Sequence, residues 1–219
     1  METSSQSTAG SYEIDSATYH VPSTLIMVGG EVKNGVVDKT WSSSGSYGGG
    51  VGVFSGSQAT ITGVTFDNNK GYSGGAITAY GSATVLDSEG VAQKVYTNVI
   101  LNSVTLTNND GQNGAVYVGG AGQLTANDIV ATNNTSTGTA AVFYLTSGNS
   151  ILTVNSATIS GNTGKGSLGF IQTSASAANT LNIYKAGVTG ADVNDNWDVL
   201  IKKAAKTTLN ELAAPTTAE

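Results

Sequence analysis

The apolar positions of this chain come in short alternating pairs. Between residues 59 and 69 they are Ala59 and Ile61, then Val64 and Phe66, and Asn69 follows three residues after the last. The same frame returns at Val99, Leu101, Val104, Leu106 and Asn109, and at Leu124, Ala126, Ile129, Ala131 and Asn134. It returns again at Leu152, Val154, Ala157, Ile159 and Asn162. A fifth copy runs Leu181, Ile183, Ala186 and Val188 and puts Ala191 where the asparagine stood. Apolar residues at every second position mark a strand with one buried face. The two residues between the pairs shift the phase, so both pairs face one interior only if the chain turns there. Thr62-Gly63, Asn102-Ser103, Asn127-Asp128 and Asn155-Ser156 fill that position. Gly, Asn and Asp tolerate the left-handed backbone of a sharp corner.

Copies begin 40, 25, 28 and 29 residues apart, a spacing that suits one circuit of a solenoid. After each asparagine, a turn leads to small residues and a third strand. These are Gly74-Gly75-Ala76-Ile77, Asn113-Gly114-Ala115-Val116, Ala140-Ala141-Val142 and Leu168-Gly169-Phe170. In that register Ile77, Val116, Val142 and Phe170 point inward and stack. The expected fold is all-β, a right-handed parallel β-helix with three strands per circuit, successive strands lying about 4.8 Å apart. Residues 1–23 are expected to form a leader and N-terminal cover, 24–191 the β-helix, and 215–219 a tail. Trp197, Leu200, Ile201, Ala204, Thr208 and Leu212 fall at helical spacing, with Asp195 as N-cap and Pro215 beyond. Residues 192–214 are therefore expected to be a C-terminal capping α-helix.

Stacking turns single residues into columns. Asn69, Asn109, Asn134 and Asn162 are expected to form a structural amide ladder, and Asn102, Asn127 and Asn155 a second one at the corner. Thr78, Tyr117, Phe143 and Ile171 would share an outward column of the third strand. That column is either a binding surface or a strip covered by a loop or by the terminal helix. The 40-residue spacing holds an insertion at 81–96 that carries Asp87, Glu89 and Lys94. It is either a functional loop or a tolerated surface insertion.

Composition narrows the chemistry. Of 219 residues only 11% are charged, the net charge is −6, and there is no cysteine. All nine basic residues are lysines and form no basic cluster, so no nucleic acid is expected as a partner. No apolar run is long enough to span a bilayer, and the polar start lacks the pattern of a signal peptide. With this composition the chain reads as a fragment of a secreted protein with a start methionine. His20 is the only histidine and lies outside the repeat, and Asp67 is followed in its column by Thr107, Thr132 and Ser160. No catalytic residues, metal ligands or cofactor are expected. Asp192, Asn194, Asn196 and Asp198 alternate as in the first half of a calcium loop. Trp197 stands where such a loop needs glycine and Lys203 where it needs glutamate, so a helix-start turn is the better reading.

The tetrads Gly74-Gly75-Ala76-Ile77 and Phe66-Asp67-Asn68-Asn69 resemble the paired repeats of the polymorphic membrane protein family. More broadly the chain, over about residues 59–172, is similar to passenger domains of bacterial autotransporter adhesins. In later copies Leu106, Ala131 and Ile159 replace the phenylalanine. The resemblance implies a non-enzymatic, extracellular adhesin on a bacterial cell surface, with no direct membrane insertion of this fragment. Its partners would be a host cell-surface protein or glycan, or a second copy of itself. The competing class is a carbohydrate-processing β-helix of the polysaccharide lyase, hydrolase or phage tail-spike type.

Overall fold

Three parallel sheets take up the chain in rotation. The computed structural model describes residues 11–14, 16–37, 47–174 and 178–214. Residues 1–10 of the leader and cover expected over 1–23, and the tail expected over 215–219, lie outside them. The first sheet has seven strands in chain order: Thr24–Val28, Gln58–Thr62, Asn98–Asn102, Gln123–Asn127, Ile151–Val154, Thr180–Ile183 and Thr208–Glu211. The second has six: Glu31–Lys33, Thr65–Asp67, Thr105–Thr107, Ile129–Thr132, Ala157–Ser160 and Val188–Thr189. The third also has six: Val51–Phe54, Ile77–Tyr80, Val116–Gly119, Phe143–Leu145, Ile171–Thr173 and Ile201–Lys202. Within each sheet every interior strand pairs with the strand one repeat earlier and the strand one repeat later, and the end strands pair on one side.

The corners are made where the sequence supplies residues that accept a positive φ. Gly63, Ser103 and Asp128, at φ 63, 50 and 56°, turn the chain from the first sheet to the second. Asn68, Asn108, Asn133 and Gly161, at φ 54, 54, 55 and 67°, turn it again after the second. Short polar side chains and glycine visit this region at least cost, which is why no β-branched residue stands there.

Parallel register stacks like positions. Val32, Phe66, Leu106, Ala131 and Ile159 form the core column of the second sheet. The apolar members of these columns from 51 to 201 form one continuous buried cluster. Burying each large member contributes about 1.5–3 kcal/mol. The cross-section is filled differently in each repeat. Where the second sheet contributes Phe66, the corner of the preceding repeat carries Gly50, and a Cβ there would lie 2.9 Å from Phe66 Cδ1. Where the second sheet has Ala131 in the Phe66 column and the first has Ala126 in the Ile61 column, the third sheet carries the larger Phe143, its ring 5.8 Å from that of Phe170 in an edge-on pair.

Three expectations are corrected. The segment expected as a capping helix contains a single helical turn, Trp197–Leu200. It continues as Ile201–Lys202 on the third sheet and Thr208–Glu211 on the first. Leu200 and Ile201 are buried because they repeat the corner-plus-strand pair of earlier repeats, and their helical spacing from Trp197 is incidental. In the third and fourth copies the third-sheet register is one residue later than read: Phe143, not Val142, pairs with Val116, and Ile171, not Phe170, pairs with Phe143. Val142 and Phe170 occupy the buried corner, just as Ala76 and Ala115 do. In the fifth copy a short turn at Lys185–Gly187 lengthens the link between strands, so Val188 stands beside Ala157 rather than Ile159.

Two antiparallel hairpins lie outside the rotation. Ser11–Ile14 pairs with Ala17–His20, and Ser82–Leu86 with Ala92–Tyr96. The strand Ala17–His20 runs beside Ser82–Leu86.

Candidate functional site: an aromatic row on the third sheet

The outward column of the third sheet is Gly52, Thr78, Tyr117, Tyr144, Gln172 and Lys202. Of the four residues expected to share it, only Thr78 and Tyr117 do. Phe143 and Ile171 are 0% exposed and face the core, because the register is one residue later there. Thr78 stands in the column but is also 0% exposed, its hydroxyl donating to the carbonyl of Ser73.

Around Tyr117 the column becomes a row of part-exposed rings. Tyr117 lies 5.9 Å from Tyr144 and 6.3 Å from Tyr80, the latter pair stacked at 26°. Tyr47 lies 5.2 Å from Tyr80, 6.0 Å from Tyr117 and 5.4 Å from Phe54. Glycines make the floor on which these rings lie. A Cβ at Gly52 would come 2.5 Å from Phe54 Cε2, and one at Gly120 would come 2.8 Å from Tyr80 Cζ. Aromatic pairs at such separations add about 0.5–1.5 kcal/mol each beyond burial. Desolvation, and after it the neighbouring phenols of Tyr47, Tyr80 and Tyr144, hold the Tyr117 hydroxyl well above the usual tyrosine range. Desolvation and then Tyr80 raise Tyr47 likewise. Both phenols therefore stay protonated and neutral over the physiological range.

Sequence reasoning found Tyr117 and missed Tyr47, Phe54, Tyr80 and Tyr144. The available signal was Tyr80 two residues after Thr78, on the same face of one strand, opposite the glycine pair Gly119-Gly120.

The inserted hairpin starts at the end of this row. Thr97, buried at its base, donates its hydroxyl to the carbonyl of Tyr80 at 3.0 Å and accepts from the Gly56 N–H at 3.0 Å. At the tip, Asp87 Oδ1 accepts from the N–H groups of Glu89 at 3.0 Å and Val91 at 2.9 Å, and Oδ2 accepts from Gln93 Nε2 at 3.1 Å. The Val91 N–H, then Gln93, hold the Asp87 carboxyl below its ordinary value. Asp87 thus organises the turn, whereas Glu89 and Lys94 are exposed, with Lys94 Nζ 5.4 Å from the centre of the Tyr96 ring.

The asparagines form a separate, internal system. Asn69, Asn109 and Asn134 are at most 1% exposed and Asn162 is 8% exposed. Each donates its backbone N–H and its Nδ2 to the Oδ1 of the next, at 3.1 and 3.0 Å, 3.0 and 3.0 Å, and 3.1 and 2.9 Å. Each Nδ2 also donates to a carbonyl of the preceding repeat, at Val32, Phe66, Leu106 and Ala131. Asp192, not Ala191, occupies the fifth place. The corner column runs the other way, with Asn155 donating to Asn127 at 2.7 Å and Asn127 to Asn102 at 2.9 Å.

The acids on the repeat frame have structural partners. Asp67 accepts from Asn108 Nδ2, Asp110 pairs with Lys70 at 2.8 Å, and Asp128 accepts from the Ser103 hydroxyl. Glu211 pairs with Lys185 at 3.0 Å. Among the described residues no three His, Cys, Asp or Glu side chains gather where they could hold a metal ion. In the calcium-loop-like segment, Asn194 Oδ1 accepts from the Asn196 N–H at 2.9 Å. No helix among the described residues is long and apolar enough to cross a membrane. No family model, curated protein or solved structure matches the chain at a significant level.

Proposed function

We propose that this chain is a right-handed parallel β-helix that serves as a non-enzymatic binding wall on a bacterial cell surface, an adhesin of the autotransporter-passenger kind. The rotation of the chain through three parallel sheets supports the helical reading, since strand–crossover–strand connections are right-handed almost without exception. One observation carries the function: a row of five aromatic rings lies on an outer face, beyond what the core needs. Tyrosine gives a large, rigid contact area at little entropic cost and keeps a polar handle, which suits it to binding surfaces. The outer faces of the other two sheets are mostly threonine, serine and asparagine, with Ile26, Val28 and Val130 as isolated exposed apolar members. Their acids are held by amides, hydroxyls and lysines rather than set in pairs across a groove, which favours binding over glycan cleavage.

The test is adhesion of beads coated with the purified chain to host epithelial cells. The native chain is expected to adhere. The double variant Tyr117→Ser, Tyr144→Ser is expected to keep its β spectrum and lose most adhesion. Undiminished adhesion by a folded double variant overturns the placement of the site. Cleavage of a polysaccharide by the native chain overturns the class.

A further inference from the structure

The aromatic row rests on the binding-wall reading for its function, and its surroundings narrow what it takes. From Gly52 to Gln172 the outward column carries no charge, and the first charged member is Lys202 at its far end. At the corner before the row, Lys70 is neutralised by Asp110. The groups beside the rings are neutral donors and acceptors: Gln172 next to Tyr144 in the column, and Thr146, whose methyl lies over Gly119. The raised Tyr117 and Tyr47 phenols belong to the same neutral set. A partner bearing charges would leave them desolvated here with no counter-charge, a costly arrangement.

The row also has a direction. Tyr80, Tyr117 and Tyr144 come from three successive repeats, with ring centres 6.3 and 5.9 Å apart; Tyr117 and Tyr144 share one column and Tyr80 lies two residues along its strand, beside Gly119, so the row climbs the stacking axis obliquely. A ligand that meets this surface repeatedly is linear and presents alternating apolar and hydroxyl-bearing faces. Pyranose sugars do both: their axial C–H faces lie on aromatic rings, and their hydroxyls bond to amides, phenols and threonine. We propose that the row Tyr47, Tyr80, Tyr117, Tyr144 binds a linear, uncharged polysaccharide that climbs the stacking axis obliquely, with Gln172 and Thr146 at its rim.

The probes are neutral linear hexasaccharides of glucose, mannose and N-acetylglucosamine, with heparan sulfate and polygalacturonate hexasaccharides as the charged arm. Each is titrated into the native chain by calorimetry at low and high salt. The expected result is binding of at least one neutral hexasaccharide, with less than about twofold change in affinity across the salt range. The matching disaccharide should bind more weakly. Tyr144→Ser, at the end of the row where it touches a single ring, should weaken binding by about fivefold or more. Tyr117→Phe keeps the ring should Tyr117→Ser fail to fold, and should retain most of the affinity. Failure of every neutral hexasaccharide to bind overturns the proposal. So does preference for an acidic one with steep salt dependence, or an unchanged affinity in Tyr144→Ser. Adhesion that depends on the tyrosines but survives periodate oxidation of the cells' glycans assigns a protein partner: it sinks the polysaccharide and keeps the adhesin. Hexasaccharide binding without adhesion to any cell sinks the adhesin and keeps the polysaccharide.

Discussion

Asp192 ends the asparagine ladder: its Oδ2 accepts the Asn162 backbone N–H at 2.9 Å and the Asn162 Nδ2 at 3.0 Å. Its Oδ1 takes the Gly161 N–H at 2.7 Å. Every amide in the ladder donates toward the C-terminal end, so the last position must accept without donating. An ionised carboxylate is the side chain that does this on both oxygens. The charge-assisted bonds and the polarised amides behind them strengthen one another.

Asp192→Ala removes both acceptor oxygens and the three hydrogen bonds they take, and is expected to cost about 1–3 kcal/mol because water reaches this end and replaces part of what is lost. Asp192→Asn keeps an acceptor for Asn162 but turns an amide N–H₂ toward the Gly161 N–H, so it should fall between the two. Urea midpoints with unchanged slopes measure both. An Ala variant as stable as the parent would show that the ladder needs no terminal acceptor.

Asn134 sits fully buried between two rungs. In Asn134→Asp one oxygen still accepts from Asn109, but the other faces the carbonyl of Leu106 and the Oδ1 of Asn162, both acceptors. The charged form is disfavoured, so the native pKa of that carboxyl lies above its unfolded value. The sign follows: stability is retained below the unfolded value and lost as pH rises through the native one. A loss on the order of 3 kcal/mol at neutral pH, with recovery in acid, is expected from melts at the two pH values. Equal loss at both would refute the acceptor conflict.

Asp87 has the opposite sign. Its native pKa is lowered from 3.8 by the Val91 N–H and Gln93, so the order it gives the hairpin tip is complete above that value. It declines as pH falls through the lower native one. Hydrogen exchange at the Glu89 and Val91 amides should quicken over that acid range. The rest of the fold should keep its protection there. Asp87→Ala should show the fast exchange at all pH values, and pH-independent protection in the parent would contradict the role.

Phe66→Ala opens the core beside Gly50, which has no side chain to lean into the gap, at an expected cost of about 3–5 kcal/mol. A thermal midpoint unchanged from the parent would remove Phe66 from the core.

What the sequence disclosed depended on whether phase could be read from it. Around Ile61 and Phe66, apolar and polar residues alternate strictly, and the ladder asparagines sit at a fixed offset, so columns and corners were legible. Ala140-Ala141-Val142-Phe143 is apolar throughout, which leaves a period-two argument nothing with which to choose between Val142 and Phe143. The choice was made by pairing to Val116, a contact between residues far apart in the chain. The C-terminal segment misled for a related reason. Its corner-and-strand pair Leu200-Ile201, placed after Trp197, reproduces helical spacing by coincidence. Asp192 was overlooked because the link before Val188 is longer than in earlier copies. Tyr47 reaches the row from outside the repeated frame, and Tyr80, at the end of its strand, is followed in its position by Gly119, so no aromatic column announces it.

The pairing of Phe66 with Gly50, and of Ala131 and Ala126 with Phe143, bears on how such a chain can be lengthened or shuffled. To the backbone the repeats are interchangeable parts, because each meets its neighbours through the same ladder of N–H and C=O groups. To the interior they are not, since Phe66 is matched to Gly50 of the repeat before it, and volume is shared across the seam between repeats as well as among the walls of one. Grafting the wall that carries Phe143 into the repeat that carries Phe66 would overfill one layer, and the reciprocal graft would leave a hollow. A repeat therefore travels best together with the neighbour whose volume it matches, and a graft of adjacent repeats is open to this chain where exchange of single strands is not.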